Sequence, residues 1–301
     1  MTSAPPPGAR QASIASADGQ KLAALICEPA QGQLRGAVQI HSGVGIPKEF
    51  YRAFAQFLAG AGFAPICFDY RGTGGSRSDS LRSCSARLSD WGTLDMTAIA
   101  DFIGRTYGDA PSFVVGHSMG GQLLGLMANH AQLKAAVLIG AGTGYWRDFL
   151  QLEKLRCGLA WHLYLPVASK LLGYYPMSHV GLGQDLPPKV GQQLVEWCRT
   201  RDYLAPYRGH SVPRGHWDEI ACPLLSIYAS DDKMTNRVTA RRLLDYYSAA
   251  PRRLREVNPS ECGRQKLGHF GLFSRKCQAT LWPEVAAFLD SHQPKPQQTD
   301  S

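Results

Sequence analysis

Val114-Val115-Gly116-His117-Ser118-Met119-Gly120-Gly121 decides how the rest of this chain is read. Ser112 to Val115 lead into it with small and apolar residues, and Gln122-Leu123-Leu124-Gly125-Leu126-Met127 follows with helix formers. That order predicts a strand, a sharp turn and a helix. The turn itself is Gly-x-Ser-x-Gly, the nucleophile-elbow pattern. A serine at the tip of such a turn is held in a strained backbone conformation. The flanking Gly116 and Gly120 leave the space that lets strand and helix cross closely. The Ser118 hydroxyl is then presented at the positive end of a helix, beside the N–H of Met119. The five-residue pattern alone is weak; its place between a strand and a helix is what makes Ser118 a candidate nucleophile. Such a serine needs a base, an orienting acid and oxyanion donors from elsewhere in the chain.

The composition leaves room for that chemistry and excludes several alternatives. A chain of 301 residues, 44% hydrophobic and 19% charged, can bury a large core in one or two domains. No apolar run approaches the roughly 20 residues of a membrane span. The start, Met1-Thr2-Ser3-Ala4-Pro5-Pro6-Pro7, reads as a disordered lead and not a signal peptide. The eight cysteines stand singly, with no Cys-x-x-Cys and no close Cys/His ligand spacing, which points to reduced thiols, no metal and a cytoplasmic location. The net charge of +8 raises a nucleic-acid reading. Its clusters, Arg241-Arg242 and Arg252-Arg253-Arg255, lie on amphipathic segments and read as solvated faces, and no nucleic-acid-binding motif accompanies them.

Taken in order, the chain alternates. Gln11 to Ala17 and Lys21 to Glu28 flank Asp18-Gly19, a type I′ hairpin signal. Gly36 to His41 and Phe63 to Phe68 are short apolar strands separated by a helical pattern from Lys48 to Ala61. Asp90 to Tyr107 reads as a helix, and Ala135 to Gly140 as a further buried strand. The pattern returns at Pro223 to Ala229, with a helix from about Asn236 to Tyr247, a last strand from Arg253 to Val257 and a closing helix from about Gln278 to Leu289. Strands alternating with helices predict right-handed βαβ units and a mostly parallel, eight-stranded sheet covered on both faces.

Between Thr143 and Ala221 the rhythm breaks into aromatic, irregular sequence that includes Tyr145, Trp146, Trp161 and Trp197. An insertion at the carboxyl edge of a parallel sheet would sit over its ligand crevice. The domain reading is therefore a lead (1–10), a core (11–142 and 222–292), a cap or lid (143–221) inserted after the sixth strand, and a polar tail (293–301).

Two more chemical loops follow strands: Ser230-Asp231-Asp232 and Gly268-His269-Phe270-Gly271. Together with the elbow and the Asp-x-Arg-Gly-x-Gly-x-Ser run from Asp69 to Ser76, they give the order Ser…Asp…His. From Ile14 to Leu289 the chain resembles the α/β-hydrolase superfamily. The combination of Asp90-Trp91, Gly144-Tyr145-Trp146 and the two loops is similar to a poorly characterised bacterial group of predicted α/β-hydrolases. The resemblance implies Ser118 as nucleophile, His269 as general base and an acid that holds its tautomer. The family's acid lies three residues past a glycine at the strand end. Ala229 holds that place here, so the count favours Asp232 over Asp231. The family's oxyanion hole implies the N–H groups of Met119 and Gly43, although His41-Ser42-Gly43 departs from the usual His-Gly.

Tyr145 and Trp146, just beyond a strand end, are candidates to line an acyl pocket. His41 and His117 read as structural neighbours of the site, and Asp69, Arg71 and Asp95 as local polar ties. The expected activity is hydrolysis of a carboxylic ester, thioester or amide of a small acyl substrate through an acyl-enzyme, without metal or organic cofactor. Acyl transfer, aminopeptidase-like amide cleavage, and a non-catalytic binding protein on the same fold are the alternatives.

Overall fold

The computed structural model describes residues 8–29, 34–77 and 80–293. Eight strands form one sheet: β1 (Ala9–Ala15), β2 (Lys21–Cys27), β3 (Gly36–His41), β4 (Phe63–Phe68), β5 (Ser112–His117), β6 (Leu133–Ile139), β7 (Leu224–Ala229) and β8 (Arg252–Val257). Their spatial order is β1-β2-β4-β3-β5-β6-β7-β8. β2 runs antiparallel to β1 and β4, and every other neighbour pair is parallel. β3, β4 and β5 are buried along their whole length, which explains why they read as unbroken apolar runs without alternation.

Among the described residues nine α-helical segments accompany the sheet: α1 (Arg52–Gly60), α2 (Leu88–Asp90), α3 (Thr97–Tyr107), α4 (Met119–Gln122), α5 (Gln151–Leu159), α6 (Leu165–Leu172), α7 (Pro188–Arg199), α8 (Arg237–Leu244) and α9 (Leu281–Asp290). Two cores result. On one face, α1 and α9 bring Phe54, Leu58, Trp282 and Val285 against Val38, Val115 and Val137. On the other, α3, α8 and the segment after β6 pack Ile99, Leu243 and Trp197 with Ala37, Val114 and Ala136. The helices α5, α6 and α7 all lie between β6 and β7, where the sequence turns aromatic.

Three local expectations change. The β1–β2 turn is not type I′, because only Gly19 has a positive φ, +84°. Ser16 pairs with Gln20, and the Gly19 N–H donates to the Ser16 carbonyl, so the loop is a three-residue turn ending in a left-handed glycine. β1 starts at Ala9, two residues before the expected strand, and inside the expected lead; residues 1–7 and the tail 294–301 lie outside the described residues. After the elbow the helix lasts one turn, Met119–Gln122, and continues as a tight 3₁₀ turn, Leu124–Leu126. There Gly125 meets the Trp217 ring, and a Cβ would lie only 2.1 Å from it.

Candidate active site

The elbow is built as its glycines require. Ser118 has φ 50° and ψ −115°, a strained conformation for a residue with a Cβ. A Cβ on Gly120 would stand 2.3 Å from the His41 carbonyl, and one on Gly116 would stand 2.7 Å from Gly121. Ser118 therefore projects from a turn pressed between β3 and β5. Asp232 and His269 lie beyond the ends of β7 and β8, at the same carboxyl edge of the parallel strands.

The three side chains form one relay. His269 Nε2 is 3.0 Å from Ser118 Oγ, and His269 Nδ1 is 2.7 Å from Asp232 Oδ2. Asp232 is almost wholly buried, and burial acts to raise its pKa. The His269 ring and the N–H groups of Thr235 and Met234 outweigh burial and hold the carboxyl below its usual range. An ionised Asp232 can only accept, so His269 carries its proton on Nδ1 and offers Nε2 to the Ser118 hydroxyl. Asp231 faces another way: it accepts from the backbone N–H groups of Leu267 (3.0 Å) and Gly268 (2.9 Å). One acid orients the ring and its neighbour clamps the loop that carries it.

Of the expected oxyanion donors, Met119 N–H has no acceptor among the described residues and Gly43 N–H has one. Gly43 N–H donates to Tyr51 Oη over 2.8 Å, which removes it as a donor to substrate. The Tyr51 hydroxyl in turn lies 2.7 Å from His117 Nδ1, and His117 Nε2 lies 3.2 Å from the His269 carbonyl. A carbonyl only accepts, so Nε2 bears the proton and the Tyr51 hydroxyl donates to Nδ1. Burial, then the nearby His269 ring, push His117 down to about 3 and keep it neutral. Thus His117 and Tyr51 connect the β3 loop to the backbone of His269. The next amide along, Val44 N–H, donates to no acceptor among the described residues, and neither does Met119 N–H. Both residues line the cavity over Ser118.

That cavity opens to solvent, and the space between its walls, solvent at the mouth included, is about 650 Å³. Its floor is Ser118, His269 and Met119, and its apolar wall comes largely from the segment between β6 and β7: Phe149, Trp161, Met177, Leu182 and Leu194. Tyr145 and Trp146 are not in that wall. The Trp146 ring packs against α5, where a Cβ on Gly158 would lie 2.7 Å from it, and edge-on to His162. Trp161 takes the place expected of Trp146. Nothing in the local sequence separates the two, since each is a tryptophan in an irregular aromatic stretch.

His41 is fully buried on β3 beside Gln39, and burial pushes it down to about 3. Asp69 binds Lys48 Nζ and the Gly75 N–H, while Arg71 joins Asp95 to Asp18. These are ties between loops, as the sequence suggested.

The spacing of His and Cys gave no hint of a metal site, yet His130, His216 and Glu219 cluster at the opposite edge of the sheet. His216 Nδ1 lies 2.9 Å from Glu219 Oε2, and the two imidazoles stack at 4.4 Å with planes 22° apart. Stacked rings point their lone pairs side by side, so this reads as a histidine–glutamate hydrogen bond under a second ring.

Residues 40–279, well over half of the sequence, match the profile of the "Alpha/beta hydrolase family". The chain belongs to the alpha/beta hydrolase family. Solved structures carry the same fold. A thermostable carboxyl esterase from Bacillus coagulans superposes with a TM-score of 0.62 at 14% identity, covering 94% of this chain and 98% of that one. An esterase from Pyrococcus furiosus gives 0.61 at 16%, with coverages of 95% and 92%. A hypothetical protein from Pseudomonas aeruginosa gives 0.61 at 20%, with coverages of 94% and 93%. No curated protein matches the sequence. The hydrolase has no helix among its described residues long and apolar enough to cross a membrane.

Proposed function

We propose that this hydrolase cleaves a carboxylic ester through an acyl-enzyme on Ser118. The observation that carries the reading is the continuous hydrogen-bonded relay from Ser118 through His269 to Asp232, opening into an apolar cavity. Ser118 Oγ attacks the ester carbonyl carbon while His269 Nε2 takes its proton. Asp232 accepts the Nδ1–H throughout and stabilises the imidazolium. The carbonyl oxygen becomes an oxyanion held by the N–H groups of Met119 and Val44, which line the cavity and donate to no acceptor among the described residues. His269 then passes its proton to the departing alkoxide, releasing the alcohol. A water molecule, deprotonated by the same nitrogen, attacks the acyl-enzyme, and His269 returns that proton to Ser118 Oγ as the acid leaves.

The apolar wall supports an acyl group of hydrocarbon character. In this reading residues 143–221 act as a cap: they supply the specificity wall, and the sheet edge supplies the chemistry. The test is a series of p-nitrophenyl esters of rising acyl length. Wild type should turn over the short members and show a preference within the series, whereas Ser118→Ala should lose at least about 10³-fold in kcat. A Ser118→Ala enzyme within tenfold of wild type would remove Ser118 from the chemistry.

A further inference from the structure

The helical run above the cavity has two different sides. α5 and α6 are joined without a break by a π-helical turn, Ala160–Tyr164. The inner side buries Cys157, Ala160, Trp161 and Leu165, and Trp161 belongs to the cavity wall. The outer side presents Leu152, Leu155, Leu159, Leu163, Val167 and Leu171, each between 52% and 81% exposed. A single exposed leucine needs no explanation, but six apolar residues along one helical face mark an interaction surface.

Spacing and charge say what that surface fits. After Leu155 the apolar residues recur every four positions. In an α-helix each four-residue step advances about 40° around the axis, and the wider π turn takes part of this back. The result is a broad face, not the narrow seam of alternating three- and four-residue steps that pairs two helices. The only acid on this run, Glu153, is paired with Arg156. Lys154 and Lys170 are exposed and take part in none of the ion pairs among the described residues. The run is thus apolar on one face, net positive at its flanks, and part of a chain with net charge +8. A second copy of the same helix would bring lysine towards lysine.

We propose that this face docks on an anionic lipid surface, with the leucines entering the interface and the lysines meeting the headgroups. Docking would set the roof of the cavity against the lipid. Taken with the ester-hydrolase reading, on which this last step rests, the substrates would be apolar esters partitioned in that lipid.

The test uses the full chain and vesicle flotation, which reads binding without activity. Wild type should float with vesicles of phosphatidylcholine containing about one-third phosphatidylglycerol, and at least about tenfold more weakly with phosphatidylcholine alone or at high salt. Leu155→Ser/Leu163→Ser/Leu171→Ser should bind at least tenfold more weakly while keeping its thermal midpoint and its turnover of p-nitrophenyl acetate. Lys154→Glu/Lys170→Glu, which keeps every leucine, should weaken binding to the anionic vesicles alone. Ser118→Ala should float like wild type. Absence of flotation, or triple and charge variants that float as well as wild type, would overturn the proposal. So would a wild-type dimer, seen by light scattering, that the triple leucine variant converts to monomer without any vesicle binding. Flotation by a protein whose Ser118 proves unreactive would keep the docking surface and discard the ester substrate.

Discussion

Asp231 and Asp232 are chain neighbours with different partners, and each carboxylate has a different task. Asp232 Oδ2 holds His269 Nδ1, while Asp231 holds two backbone amides of the loop that carries His269. Asp232→Asn keeps the shape but can turn an N–H towards Nδ1, favouring the tautomer that cannot accept the serine proton. On the serine-protease precedent for this swap, kcat should fall about 10⁴-fold. Asp231→Asn leaves one acceptor for two N–H donors, which should cost less than about tenfold through a looser loop. Both variants, checked for folding by circular dichroism and assayed on one short ester, decide the matter; a dead Asp231→Asn beside an active Asp232→Asn would reverse the roles.

The same residues set a pH prediction. Asp232 is held ionised below the usual carboxylate range, and His117 is held neutral with its pKa near 3. Neither changes charge between about pH 5 and 8, so neither adds an ionisation to the acid limb of the rate over that range. The acid limb of log kcat/KM should rise with a slope of one. A slope of two over that range would mean that a second group of the site titrates. Ser118 and Asp232 were legible in sequence as candidates because each sits in a short loop after an apolar strand, and His269, well beyond the charged β8, through its Gly-His-Phe-Gly loop and the Ser…Asp…His order. The oxyanion partner was not. Whether Gly43 or Val44 is free depends on Tyr51, eight residues further on, whose hydroxyl claims the Gly43 N–H. No local pattern encodes that contact.

At the scale of elements, the loop after β4 works as a tie between distant pieces of chain. Arg71 donates to Asp95 from its side chain and backbone and reaches Asp18 in the β1–β2 turn. Burial pushes the Asp95 carboxyl up to about 7 against the pull of Arg71. Removing the arginine leaves a buried acid without its cation, and the folded-state pKa of Asp95 rises further above its unfolded value. A carboxyl raised in the folded state binds a proton that the unfolded state has lost, so the variant loses stability as pH rises. Arg71→Ala should therefore cost about 3 kcal/mol at pH 8 and distinctly less at pH 5, read by urea unfolding. A cost equal at both pH values would show that packing, not charge, is what Arg71 provides. Element types were legible here because apolar periodicity survives any tertiary context. Turn geometry was not: Asp18-Gly19 suggests a two-residue turn, but the Ser16–Gln20 pairing leaves three residues to close the loop. Nor was the end of the helix after Ser118, where the chain tightens into a 3₁₀ turn and the distant Trp217 ring seats on Gly125.

At the scale of the whole molecule, the proposal separates a sheet edge that performs chemistry from an inserted segment that chooses substrate. Trp161 is in the cavity wall, while Trp146 packs behind it on α5. Trp161→Ala should shift the preferred acyl length and change the ranking of the ester series, at little cost to a short ester. Trp146→Ala should lower activity on all esters in the same proportion, by loosening the helix. The opposite pattern would return Trp146 to the pocket. The sequence marked the segment by its aromatics and its broken βα rhythm. It could not say which aromatic faces inward, because that depends on how α5 and its π turn are rotated over the sheet.

Covalent labelling shows whether Ser118 is the activated nucleophile proposed above. Wild type is treated with a fluorophosphonate at neutral pH, and the modified peptide is identified by mass spectrometry. Rapid, stoichiometric phosphonylation of Ser118 is expected, slowed by orders of magnitude in Asp232→Asn and in His269→Ala. An unlabelled Ser118, or rapid labelling of a different residue, would contradict it.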